Sequence, residues 1–284
     1  MQIIRVEEFA TVRVPVDMLL DQPHKQAISE SRKLIPGGCY DFDTHEAILA
    51  LHAWVVRTPH HLILIDSCAG NDKERPGLPV IHQLQTPWLR RLREHGIAPE
   101  EIDYVVCTHL HADHVGWNTR REDGRWVPTF PNATYIFGRT EFDHWKNVAV
   151  EGEDVLQKLV FEDSVRPCVE AGCVRLVGDG FAVDDWVYIE AAPGRTVGHT
   201  IVRARSGAQV ALFVGDVVHS PVQFTFPDVN HKECEIPEKS RTTRRRILAE
   251  AAENGYLLIP AHFPAPGFGR VSAIGDRFSF RSVG

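Results

Sequence analysis

Cysteine is sparse and scattered, with six residues at positions 39, 68, 107, 168, 173 and 234. So few thiols, unevenly spaced, exclude a dense disulfide framework and lead us to expect reduced thiols in a cytoplasmic protein. Cys168 and Cys173 stand close enough to pair or to bind metal. No partner pair lies at zinc-ribbon spacing, so they are read as loop or core thiols. No apolar run approaches the ~18 residues that a membrane-spanning helix needs. The opening MQIIRVEEFA has no basic stretch followed by an apolar one, so no secretory signal is expected. Positive charge is also short: 31 Lys and Arg face 38 Asp and Glu, a net charge of −7. That balance argues against a nucleic-acid or anionic-membrane partner. The one basic run, RTTRRR, opens a helix whose Ile247, Leu248, Ala251 and Ala252 form the buried face. Its arginines are therefore expected on a solvated, salt-bridged or dimer surface. No internal repeat or low-complexity tract is visible.

What is present suits a globular α/β protein. Apolar residues make up 43% of the chain and charged residues 24%, enough for a sizeable core. Residues 1–284 are read as one domain with mixed sheets. IIRVEEFATVRVPV reads as a strand, and residues 47–57 and 61–66 as a hairpin around TPHH. Residues 86–96 read as a helix, with Thr86 as N-cap, Pro87 in the first turn and Gly96 as C-cap. A short buried strand follows at 102–108, and another at 133–138. Helices follow at TEFDHWKN and EDVLQKLVFEDSV. CVRLVG, DWVYIEA, TIVRARS and QVALFVGD read as strands, SRTTRRRILAEAAENG as a helix stopped by Gly255, and YLLIPAH and RVSAIGDRFSF as closing strands. The stretch 216–239 has three prolines and no clear period, and reads as a functional or partly disordered loop.

The stretch THLHADH, directly after the strand at 102–108, crowds ligand-type side chains into one turn. His109, His111, Asp113 and His114 can all point toward one place, and no packing or turn requirement asks for this set. Imidazole and carboxylate together suit Zn²⁺ or a similar borderline divalent ion. Three more candidates stand where a strand meets a loop: His199, Asp216 and His262. Buried groups at such positions are costly unless something pairs with them, and a metal would do so. With the distant ligands added, the set exceeds one tetrahedral site, so two ions are expected.

THLHADH resembles the T-H-x-H-x-D-H signature of the metallo-β-lactamase superfamily. PGRTVGH resembles its second motif, with Arg195 in place of the usual first histidine, which is not normally a ligand. GD at 215–216 and AH at 261–262 match the remaining ligand positions, and LILIDSCAG resembles the early motif that carries Asp66. GDVVHSPVQF, AHFPAPGFGRV and DSCAGNDKERP are similar to the branch that contains methyl parathion hydrolase and lactonase- or esterase-like enzymes. NHKECEIPEKS departs from the acidic pattern expected before the late helix. The resemblance covers nearly the whole chain and implies an αββα sandwich of two mixed sheets flanked by helices. It implies that His109, His111 and His199 hold one ion, that Asp113, His114 and His262 hold the other, and that Asp216 bridges them. Asp66 would support the ligands from behind. The ions would be zinc first, with Mn, Fe or Co as substitutes.

Such a centre makes hydroxide available at neutral pH and polarises the bond to be cleaved. The expected reaction is hydrolysis of a small ester or lactone, or of an organophosphate. Asp113 is one candidate proton donor. His219 is another, three residues past Asp216 where related lactonases place a tyrosine. Trp117, Phe224 and Phe263 are candidate walls of an apolar substrate cleft. Asn71 and Lys73 are read as solvated loop residues. Two alternatives share this signature. A mononuclear iron sulfur dioxygenase does not need all seven ligands, and a glyoxalase-II-like thioesterase would usually carry a basic C-terminal patch, which is absent after His262. The expected partner is a small-molecule substrate, with homodimers common among related enzymes.

Overall fold

The structure, a computed structural model, describes residues 1–152 and 154–283. Glu153, the first residue of the expected helix EDVLQKLVFEDSV, lies outside them. Nine strands come first: β1 (Gln2–Pro15), β2 (Tyr40–Asp41), β3 (Glu46–Arg57), β4 (Leu62–Ile65), β5 (Tyr104–Val106), β6 (Thr119–Glu122), β7 (Arg125–Pro128), β8 (Thr134–Gly138) and β9 (Val174–Val177). Six more close the chain: β10 (Val187–Ala191), β11 (Thr200–Ser206), β12 (Gln209–Gly215), β13 (Leu257–Pro260), β14 (Gly269–Ile274) and β15 (Arg277–Ser282). The residues group into two compact units. One comprises Met1–Glu8 and Leu51–Phe181, the other Phe9–Ala50 and Ala182–Gly284.

A seven-stranded sheet runs β1-β3-β4-β5-β8-β9, with β2 paired to β3. β3 and β4 form the expected hairpin, closed by the Thr58 amide donating to the His61 carbonyl at 2.9 Å. From β4 onward the neighbours are parallel. LILI of β4 is buried throughout, as a parallel strand covered on both faces requires. The C-terminal ends of β4 and β5 release Asp66 and the stretch 107–114, where open parallel sheets place functional groups.

A six-stranded sheet runs β10 to β15 in order. It is antiparallel except for β12 and β13, which pair in parallel from Ala211↔Leu257. That parallel pair needs a crossover, supplied by the helix Pro237–Asn254. Its Ile247, Leu248 and Ala251 bury against Leu212, Val214, Leu258 and Phe280. Proline stands in its first turn, and Gly255 ends it in the left-handed conformation at φ 63°.

Several local expectations are corrected. The helix expected at 86–96 runs Trp88–Glu94 with Pro87, not Thr86, at the N-cap; the Thr86 hydroxyl donates instead to Glu8 and Asn71. His95, not Gly96, is its C-cap, and Gly96 turns left-handed just beyond it at φ 70°. The stretch 216–239 holds a short helix, Val222–Thr225. It is gathered by Arg244, which is fully buried rather than solvated. Arg244 donates to the carbonyls of Val217, Pro227 and Val229. The other arginines of that run are salt-bridged: Arg241 to Glu238, Arg245 to Asp228 and Arg246 to Glu250. Lys73 is also buried, its ammonium donating to Thr119 at 2.5 Å and to the Asp163 carbonyl at 2.9 Å over the face of Trp126. The hairpin β6–β7 was not anticipated, although Asp123-Gly124, both at positive φ, is a strong turn signal.

Candidate metal centre

In the first unit the site is built around Asp66. Its backbone turns at φ 54° directly after β4, which aims the carboxylate back along β5. One oxygen accepts the Thr108 amide at 2.7 Å; the other accepts the Thr108 hydroxyl at 2.9 Å. That second oxygen also lies 2.9 Å from His114 Nδ1. With Nδ1 committed to Asp66, the opposite ring nitrogen of His114 is the one presented for ligation. His109 and His111 stand beside it, with ring centroids 4.0 Å (His109–His114) and 4.6 Å (His109–His111) apart. All three are buried, while Asp113 is half-buried with a carboxylate oxygen 3.7 Å from His114 Nε2.

The loop carrying these rings is held by groups that are not themselves candidate ligands. The Ser67 amide donates to the His114 carbonyl at 2.7 Å, and the amides of Gly116 and Trp117 donate to Cys68 and Ser67 at 2.8 Å each. The two backbones approach so closely that a Cβ at Gly116 would lie 1.8 Å from the Ala69 carbonyl oxygen. Buried Glu141 ties the loop to the helix Arg139–Glu151, accepting the Leu110 amide at 3.0 Å and the Trp145 indole at 2.7 Å. Sequence reading missed Glu141, for a lone acidic residue in a helix carries no signal. It also missed Glu8, which accepts the Ala69 amide, the Thr86 hydroxyl and the Trp117 indole. Burial pushes the Glu8 carboxyl above its ordinary range, against the pull of these donors.

In the second unit Asp216 follows β12, His262 follows β13, and His199 sits in the turn between β10 and β11. One Asp216 oxygen lies 3.0 Å from His262 Nε2. The other lies 2.8 Å from His219 Nε2 and 3.4 Å from Arg195 Nε. The Asp216 amide donates to His199 Nε2 at 3.1 Å. Asp216, His219 and His262 bring one potential ligand atom each within 4.8 Å of one another. His219 is buried, its amide donating to Gln223 Oε1 at 2.8 Å. Burial lowers its imidazole to about 4, with Asp216 opposing. His231 stacks on His219 with centroids 4.2 Å apart.

The donor chemistry of each group fits a divalent ion. Crowded, buried imidazoles next to a carboxylate are the nitrogen and oxygen donors that zinc and its neighbours take. The expected substrate walls lie elsewhere in the packing. Phe224 and Phe263 are fully buried, in contact with each other and with Phe280. Trp117 is buried against Trp88, with its indole on Glu8. All three fill core.

The family model of the metallo-beta-lactamase superfamily matches residues 49–262. The chain belongs to that superfamily. Among solved structures, this superfamily member is similar to the hydrolase AbOPH, with a TM-score of 0.82 and 23% identity over 99% of this chain and 94% of that one. It is also similar to AidC, described as a dizinc quorum-quenching lactonase in complex with a product. That TM-score is 0.78, with 18% identity over 99% and 94%. Both likenesses show the expected fold: α/β, with mixed sheets flanked by helices. An N-acyl homoserine lactonase, AttM of Azorhizobium caulinodans, is 41% identical over 49 residues, 17% of this chain. The chain spans 22% and 15% of the length of the first curated relatives it matches. No helix among the described residues is long and apolar enough to cross a membrane.

Proposed function

We propose that this superfamily member is a dinuclear metal-dependent hydrolase of a small ester or lactone, organophosphates included, working as one domain over residues 1–284. Superfamily membership and the hydrolase and lactonase neighbours support metal-dependent hydrolysis. The observation that carries the dinuclear reading is the completeness of the donor set. His109, His111, Asp113 and His114 are retained after β5, and His199, Asp216 and His262 at strand ends of the other sheet, all inside the span of the family model. In this reading His109, His111 and His199 hold one ion, Asp113, His114 and His262 the other, and Asp216 serves both.

The bound ions, zinc in the first place, supply hydroxide at neutral pH and Lewis-acid polarisation of the scissile group. The chain supplies the rest. Asp66 fixes the ring of His114, and Thr108 carries that restraint into the strand. Asp113, half-buried, is the candidate that can give a proton to a leaving group. His219 keeps its role as the second candidate, and its contact with Asp216 gives it a further one, holding that carboxylate in place. Phe224, Phe263 and Trp117, buried as they are, would act on substrate choice through the loops they support.

The test is metal content per chain in protein purified without added metal, followed by an ester, lactone and phosphotriester panel. About two zinc-like ions and turnover of one panel member are expected. About one iron per chain, with no hydrolysis, sinks the proposal.

A further inference from the structure

Arg195 occupies the place where the family's second motif usually has a histidine. That exchange puts a permanent cation where a neutral imidazole would otherwise stand at pH 7. The guanidinium is 6% exposed, so water does little to screen it. Its Nε lies 3.4 Å from an Asp216 carboxylate oxygen. No aligned hydrogen bond joins the two, and Arg195 Nε has no hydrogen-bond partner among the described residues. The contact therefore acts through charge.

The cation cannot swing away. Its Nη1 donates to the Glu233 carbonyl at 2.5 Å, and its Nη2 to the Glu233 carboxylate at 3.2 Å. The backbone around it is stitched to the same segment. Glu235 donates to the Arg195 carbonyl at 3.1 Å, Ile236 to the Gly194 carbonyl at 3.0 Å, and Val197 donates to the Glu235 carboxylate at 2.8 Å. Gly194 permits this approach, since a Cβ there would lie 2.4 Å from Ser240 Cα. The stretch NHKECE, which departs from the expected acidic pattern, is thus the clamp that holds Arg195. Glu233 does not cancel the charge toward Asp216, because its side chain is 69% exposed and well screened.

We propose that Arg195 is a resident counter-charge of the metal centre, a positioning residue that draws on the Asp216 carboxylate and weakens the hold on divalent ions. This rests on the reading of Asp216 as a metal ligand. A cation fixed at this distance repels an incoming divalent ion and shares the carboxylate that would bind it. The same positive charge remains to favour a substrate that gains negative charge during reaction.

The experiment is competition for zinc between the protein and a chromophoric chelator. It is run on wild type, Arg195→Gln, Arg195→His and Arg195→Lys, with thermal melting at each zinc concentration as a second readout. Removing the charge in Arg195→Gln and Arg195→His is expected to tighten zinc binding, by on the order of tenfold. Arg195→Lys, which keeps the charge, stays near wild type. A residue that served only to brace the loop would do the opposite, since its loss loosens the ligands. Unchanged or weaker zinc binding in both neutral variants overturns the proposal, whatever their melting temperatures. Wild type that takes up no divalent ion instead overturns the reading of Asp216 as a ligand.

Discussion

Asp66 and Asp216 are both buried aspartates just past the end of a parallel-paired strand, yet their partners differ in kind. Asp66 is held by a backbone amide, a threonine hydroxyl and one imidazole. Asp216 is held by a guanidinium and two imidazoles. Neutral dipoles fix a carboxylate in place and leave its charge to orient a neighbour. A fixed cation such as Arg195 holds a carboxylate by a charge with which an ion would compete. Asp66 thus has the partners of a carboxylate that aims a ring, and Asp216 those of a carboxylate for which an ion would have to compete.

The comparison breaks most visibly if the two asparagine variants behave alike. Asp216→Asn should lower kcat/KM on the best panel substrate by ~10³-fold and reduce the ions per chain, since it removes the charge of the proposed shared ligand. Asp66→Asn keeps the ligands and frees the His114 ring. Zinc affinity should fall by about 10–100-fold in a chelator competition, with smaller losses under saturating zinc. Equal losses in the two variants would mean that Asp66 also binds an ion.

Gly116→Ala asks whether the Asp66 side is preorganised by backbone packing. The added methyl meets the Ala69 carbonyl, so unfolding should become easier by ~1–3 kcal/mol, read as a drop of several degrees in the melting temperature of the metal-free protein. A melting temperature equal to wild type would show that the two loops can separate freely.

The smallest expected effect tests burial without a metal role. Desolvation lowers the Lys73 ammonium to about 7 from 10.5, with Asp163 opposing. The unfolded chain therefore binds one more proton than the folded chain between about pH 7 and 10.5, so this residue makes stability rise with pH across that window. Lys73→Met should flatten that rise in urea titrations. An unchanged slope would show that Lys73 stays charged when folded, in the manner of Arg195.

The first group was legible in the sequence because its candidate ligands are contiguous. Four donor-type residues in six positions point to a metal, and one short strand delivers them together. The second group needed the strand-end rule and a resemblance, since His199, Asp216 and His262 are far apart in the chain. What escaped notice has no local signature. Glu8 and Glu141 act through tertiary contacts with amides and indoles. Arg244 looks like one more arginine in a basic run, and only the folded stretch 217–229 turns its carbonyls toward it. Phe224, Phe263 and Trp117 were legible as aromatics near candidate ligands, but their packing was not. An aromatic residue close in sequence to a ligand can face the other side of its strand or loop, and here all three fill core.

The close approach of Gly116 to Ala69 bears on how the protein acquires its ions. The loop bearing His109, His111 and His114 takes its shape from amides, carbonyls and a carboxylate that are not candidate ligands. Contacts that involve none of the three rings thus already shape this loop, so an arriving ion would have less of it to organise. One metal could leave and another enter without refolding, and the ion found in the purified protein would then record the supply in its surroundings more than a preference written into this loop.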